Sequence, residues 1–277
     1  MLALLKTAKG AIGAIVLTVA VIAALFADVL APMDPNLQNL LARLRPPMWR
    51  DEAGQLYLLG TDALGRDLFS RLIHGARISI MVAIGAVLVS GVIGTTIGLF
   101  AGYYRGVASA LVMRFMDIQL SIPMILFAIA WIAFFGAGLV SIIIVIAAWG
   151  WVQYARLARG IVLSLKEREF VQASVVLGAR DGRIILGHIL PNLISPMIVM
   201  ATLQLGEAVL LESALSFLGM GVGPPTATWG SIVSDGRSYI DTAWWIVVFP
   251  GAAITLLVLG ANFLGDALRD HLDPHHN

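Results

Sequence analysis

Cysteine is absent from the 277 residues, which excludes disulfides, iron–sulfur clusters and thiolate metal sites. Charge is scarce as well. Only 13% of residues are charged and 59% are hydrophobic, against about 25% charged in an ordinary soluble domain. No G-x-x-x-x-G-K-S/T occurs, so the chain does not itself hold ATP in a P-loop, and no H-E-x-x-H marks a metalloprotease helix. The formal net charge of +1 singles out no partner, and no nucleic acid is expected. No cofactor is expected either.

Several apolar runs approach the roughly twenty residues that cross a bilayer as a helix. The chain therefore has the composition of an all-α membrane protein in contact with lipid. The first run, Ala11 to Leu30, follows Lys6 and Lys9; its apolar core is longer than a signal peptide's, so residues 1–30 are expected to stay as a transmembrane anchor. Residues 31–77 form a polar insertion in which Pro32, Pro35, Pro46 and Pro47 oppose a continuous helix. Its later part, Leu59 to Ser79, places Asp62 and Arg66, then Asp67 and Arg71, at i,i+4 spacing, as in a short interfacial helix.

Residues 78–270 hold the remaining spans. Ile78 to Gly102 carries Gly94, Gly98 and Gly102, overlapping G-x-x-x-G patterns that let another helix come close. The third span is placed at Ile118 to Phe135, with Asp117 either an interfacial charge or a partner of Arg114. Gly136 and Gly138 make an outer turn, and Leu139 to Trp151 returns. The fifth span, Leu193 to Leu218, carries Gln204, Glu207 and Glu212 within roughly 140° of one helix face. An ionised Glu facing lipid costs about 2.5–3.5 kcal/mol, so this side faces protein or water: a translocation path, or a seam of interhelical hydrogen bonds. Gly219 to Thr242 is an external loop, and Ala243 to Leu264 the last span, with Asn262 packed on a neighbour. The tail, 271–277, carries His271, His275 and His276; histidines without a fixed geometry do not make a metal site, and none is expected.

Arg156 to Pro191 interrupts the oily second half with Arg156, Arg159, Lys166, Arg168, Arg180 and Arg183 against Glu167, Glu169 and Asp181. Short loops rich in Lys and Arg stay cytoplasmic. Leu165 to Leu177 fits a helix with Phe170, Ala173 and Leu177 on one side, broken at Gly178. Asp181 then caps a second helix that groups Ile184, Ile185 and Ile189 and ends at Pro191. The segment is either a docking surface or a solvated loop.

Two stretches carry a family resemblance. Gln172-Ala173-Ser174, Gly178 and Leu190-Pro191 resemble the "EAA" coupling loop of ABC importer permeases, with Gln172, Ser174 and His188 standing where the pattern has Glu, Ala and Ile; the resemblance implies that these residues, with Ala179 and Asp181, couple to the ATPase. LGTDALGRDLFSRLIHGARIS, through Gly60, Asp62, Gly65, Arg66, Asp67 and Arg71, resembles the signature of the C-type permeases of oligopeptide, dipeptide and nickel importers. Asp117, Ser121 and Pro123, and Asp266, Arg269, Asp270, Asp273 and Pro274 in the tail, match too.

The resemblance implies the type I ABC importer permease fold, six transmembrane helices with a cytoplasmic coupling helix, in a bacterial inner membrane with both termini inside. It implies a non-catalytic subunit working with a homologous permease, two ABC ATPase subunits and an extracytoplasmic solute-binding protein. Peptides are the expected substrate and nickel the alternative. A secondary transporter using Glu207 and Glu212 is the rival from another class.

Overall fold

The structure, a computed structural model, describes residues 7–104 and 106–272. Helix α1 (Ala8–Leu25) is capped by the Thr7 hydroxyl, and a single turn, α2 (Ala27–Leu30), follows. The proline-bearing stretch forms a short hairpin, β1 (Trp49–Arg50) on β2 (Leu56–Tyr57). Helix α3 (Leu68–Tyr103) starts at its Asp67 cap, so the expected interfacial helix is the first part of the long span, not a separate element. Asp62 to Arg66 is a turn and not a helix, because Gly65 holds a φ of +71°.

The expected third span is bent. Helix α4 (Val107–Ser121) and α5 (Met124–Phe135) meet at 92°, so the span placed at Ile118 to Phe135 straddles a corner. The cause is Pro123: the residue before a proline avoids the α region, and proline has no N–H to continue the ladder. Helix α6 (Leu139–Lys166) then runs well past the expected end at Trp151. Arg156, Arg159 and Lys166 are good helix formers, so the basic segment begins inside a helix and only residues 167–180 leave it.

That excursion holds α7 (Glu169–Val176). Helix α8 (Asp181–Ile184) passes through a π-helical turn, Ile185–Ile189, into α9 (Leu190–Phe217) without a break. Pro191 does not end this helix as expected. It lies in the first turn of α9 directly after the π turn, where the widened ladder spares the carbonyl that a proline ring would strike. The outer loop contains α10 (Trp229–Gly236), closed by a Thr228–Ser231 capping box, and α11 (Trp245–Leu272) ends the described chain.

Among the described residues, five helices are long and apolar enough to cross a bilayer, and six crossings result if the bent α4–α5 pair is one. Small residues set the packing. A side chain at Gly94 or Gly98 would collide with the Trp151 or Ala155 carbonyl of α6, and one at Gly102 would lie 2.8 Å from Val162. The G-x-x-x-G stripe is thus the α3–α6 seam. Gly13 on α1 and Gly260 on α11 make a second seam. The main apolar core joins Val82, Ala86, Val145, Ile146, Val209 and Leu257 from α3, α6, α9 and α11. One end of the bundle carries the hairpin and α10. The opposite end carries the 167–180 excursion, and Lys166 Nζ donates to the Tyr103 carbonyl there at 2.7 Å.

Candidate functional site

At the excursion end, Gly178 has a φ of +76°, a conformation that glycine alone adopts freely. It separates α7 from α8. Behind it, Ile184, Ile185 and Ile189 are buried with Val162, Leu99 and Tyr103, as their common side requires. The α7 face differs from expectation. Val171 is buried, whereas Phe170 is 46% and Leu177 86% exposed, so the helix turns its oily residues outward.

The base of the excursion is tied to α3. Tyr103 Oη donates to Asp181 Oδ1 at 2.8 Å, and the Lys166 ammonium sits 4.7 Å from the Tyr103 ring centroid. Ser174 donates to the Phe170 carbonyl at 2.9 Å and meets His188 Nε2 at 3.2 Å, a pairing made by two of the residues that depart from the resembled loop. Gln172 and Ala173 are exposed, Ala179 is half-buried, and Leu190 and Pro191 open α9.

The acidic side of α9 divides. Glu212 is fully buried; its carboxylate accepts from Ser79 Oγ of α3 at 2.8 Å and from Ser216 Oγ at 2.6 Å. Gln204 is buried and donates to the Gly150 carbonyl of α6 at 3.3 Å. Glu207 is exposed and accepts from Gln153 Nε2 at 3.3 Å. Gln204 and Glu207 line a small crevice with Ser90 and Trp149. Asn262 packs against Gly206, as an amide seeking a neighbour should. Asp117 pairs with Arg156 of α6 at 2.6 Å and not with Arg114; both side chains are about half exposed.

At the other end, the signature residues form a compact knot. Asp62 is buried and accepts the backbone N–H of Leu64 and Arg66, Arg66 Nε at 2.6 Å, and Arg71 Nη1. Arg71 therefore pairs with Asp62 and not with Asp67. Asp67 instead caps α3, accepting Ser70 N at 2.8 Å and Ser70 Oγ at 2.7 Å; burial pushes its carboxyl up, against the pull of those Ser70 bonds. Gly60 and Gly65 admit the backbone of residues 39–47, since a side chain at Gly65 would overlap the Asn39 carbonyl and one at Gly60 the Arg45 carbonyl. Asp235 of α10, which sequence reasoning did not single out, accepts from both Arg66 and Arg71. No local signal pointed to it, because the i,i+4 spacing gave each arginine an acid of its own and only the fold brings both to Asp62.

Among the described residues, no group of three or more His, Asp or Glu is placed to hold a metal. His271 lies on α11, and Asp273, Pro274, His275 and His276 lie outside the described residues.

A helical membrane bundle with a Gly-hinged helical excursion at one end has the fold of the type I ABC importer permeases. A chain of the MetNI methionine ABC transporter, solved in inward-facing conformations, matches it with a TM-score of 0.59 and 21% identity, over 73% of this chain and 97% of that one. The family described as binding-protein-dependent transport system inner membrane component matches residues 94–276, and the chain belongs to that family. A second match, to the N-terminal TM domain of oligopeptide transport permease C, covers residues 5–47. The chain is 45% identical to the di/tripeptide transport system permease protein DppC of Pseudomonas aeruginosa (96% of this chain, 88% of the relative). It is 43% identical to the dipeptide transport system permease protein DppC of Alkalihalophilus pseudofirmus (97% and 86%). To the probable D,D-dipeptide transport system permease protein DdpC of Escherichia coli it is 40% identical (94% and 86%).

Proposed function

We propose that this chain is the permease subunit of an importer that carries di- or oligopeptides across the bacterial inner membrane, driven by separate ATPase subunits. The names of its relatives support the substrate class. The excursion end faces the cytoplasm and the hairpin end the outside. The net positive charge of residues 156–183 supports this orientation, which also puts both ends of the described chain inside. A homologous second permease and an extracytoplasmic binding protein complete the assembly, and this chain makes and breaks no bonds itself.

One observation carries the coupling role. Val175, Val176 and Leu177 are 57%, 86% and 86% exposed at the tip of the excursion, an oily tip beside Arg168, Arg180 and Arg183, and such patches mark protein interfaces. Closure of the ATPases would push this tip. Val162, Ile184 and Ile189 would pass the displacement to α6 and α9, and Tyr103–Asp181 would pass it to α3. The path between the two permeases would then open alternately to each side, with Glu207 in its wall and Gln204 and Glu212 as the seam behind it. A Leu177→Cys variant should crosslink to a cysteine in the docking groove of the ATPase subunit, and a cysteine at Leu58 on the hairpin end should not. Crosslinking at Leu58 alone would overturn the assignment of the two ends.

A further inference from the structure

The hairpin end holds a cavity of about 360 Å3, between the 33–39 segment, the β1–β2 hairpin and the turn at Gly65. It lies far along the bundle from the excursion. Asp51, Asp67, Gln38, Asn39, Gln55 and Tyr57 are in its lining, and no lysine, arginine or histidine is. Asp67 is only 2% exposed. Its Oδ2 is occupied by Ser70; the Phe69 N–H also pulls on the carboxyl, but Oδ1 is buried without a well-formed hydrogen bond. The arginines do not supply one: Arg66 and Arg71 pair with Asp62 and Asp235, and Arg71 Nε, itself buried without a partner, makes no bond to Asp67.

A buried carboxylate oxygen without a donor is costly, and a ligand that brings one removes the cost. The cavity is too roomy for a bare metal ion and falls in the range of small-ligand pockets, about 300–1,000 Å3. Two carboxylates without a basic residue select positive charge, and the amide side chains suit further N–H donors. We propose that this cavity binds an organic cation, an ammonium or guanidinium group on a short alkyl stem, with Asp67 Oδ1 accepting from the charged nitrogen and Asp51 adding to the negative field.

The test is calorimetric titration of agmatine, which carries both groups, into the full chain in nanodiscs. Wild type should bind saturably and prefer agmatine to butanol and to calcium. Asp67→Asn keeps an oxygen for Ser70 but turns the free acceptor into a donor, and should weaken binding roughly ten- to a hundredfold. Ala53→Trp, at an exposed position in the lining, should block binding without touching Asp67. Both variants should keep the helical content and melting midpoint of the wild type. Equal affinity in wild type and Asp67→Asn, no agmatine binding by wild type, or calcium binding in its place overturns the proposal. A second arm, which rests on the importer reading, finds the natural source of the cation. Agmatine that competes with docking of the extracytoplasmic binding protein points to a basic side chain of that protein, and docking indifferent to agmatine points to a free solute. The calorimetry stands whichever way the importer reading falls.

Discussion

At the residue scale, the acids do different work according to burial. Asp62 neutralises Arg71, which is 3% exposed and so has little water to turn to. Removing one partner of such a pair leaves a buried charge, at a cost of about 3–5 kcal/mol. Asp62→Ala should therefore lower the melting midpoint and the yield of folded protein sharply, whereas Asp235→Ala, at a 45% exposed side chain, should cost far less. The two glutamates of α9 should separate in the same way. Glu212→Ala strands the Ser79 and Ser216 hydroxyls and should cost about 1–3 kcal/mol, seen as less assembled protein. Glu207→Leu should leave assembly unchanged and impair uptake. Reduced assembly with Glu207→Leu and none with Glu212→Ala would reverse the assignment of wall and seam. Sequence alone put both acids on one broad face of α9, but the angular spread of that face is wide enough to include a buried edge and an open one. Only the neighbours, Ser79 of α3 and Gln153 of α6, decide which is which.

At the scale of elements, what the sequence made legible was whatever depends on local chemistry. The G-x-x-x-G stripe announced a close helix partner and α6 fills that place; the Ile184, Ile185 and Ile189 side was the buried side. Illegible were the features that depend on continuity. The helix propensity of Arg156, Arg159 and Lys166 permitted α6 to continue past Trp151 to Lys166 but did not require it, and nothing local told that a π turn carries the helix through Pro191. The outward turn of Phe170 and Leu177 was hidden for another reason: an apolar stripe on a helix says that it is covered, not by which molecule. The stripe on α3 yields a sharp expectation. Gly98→Leu would drive a side chain into the Ala155 backbone, and overpacking of this kind costs about 1–3 kcal/mol or more. Protein yield and melting midpoint should fall, while Gly160→Leu on α6, where nothing lies within 4 Å, should leave both near wild type.

At the scale of the whole molecule, the bundle has two chemically distinct ends joined by helices that run the full distance. The hairpin end is held by buried ion pairs and turn glycines and is built to keep its shape. The excursion end carries an exposed oily tip on a glycine hinge, attached through Tyr103, Lys166 and Asp181 to α3 and α6. This division suits a transducer that receives a push at one end and opens a path along its length. The most direct test reconstitutes the importer in proteoliposomes with wild type or Gly178→Pro, and measures peptide uptake together with the stimulation of ATP hydrolysis by the loaded binding protein. Proline cannot adopt the positive φ of Gly178, so the variant should insert normally yet lose both uptake and stimulation. Uptake and stimulation equal to wild type would contradict the coupling role of the excursion.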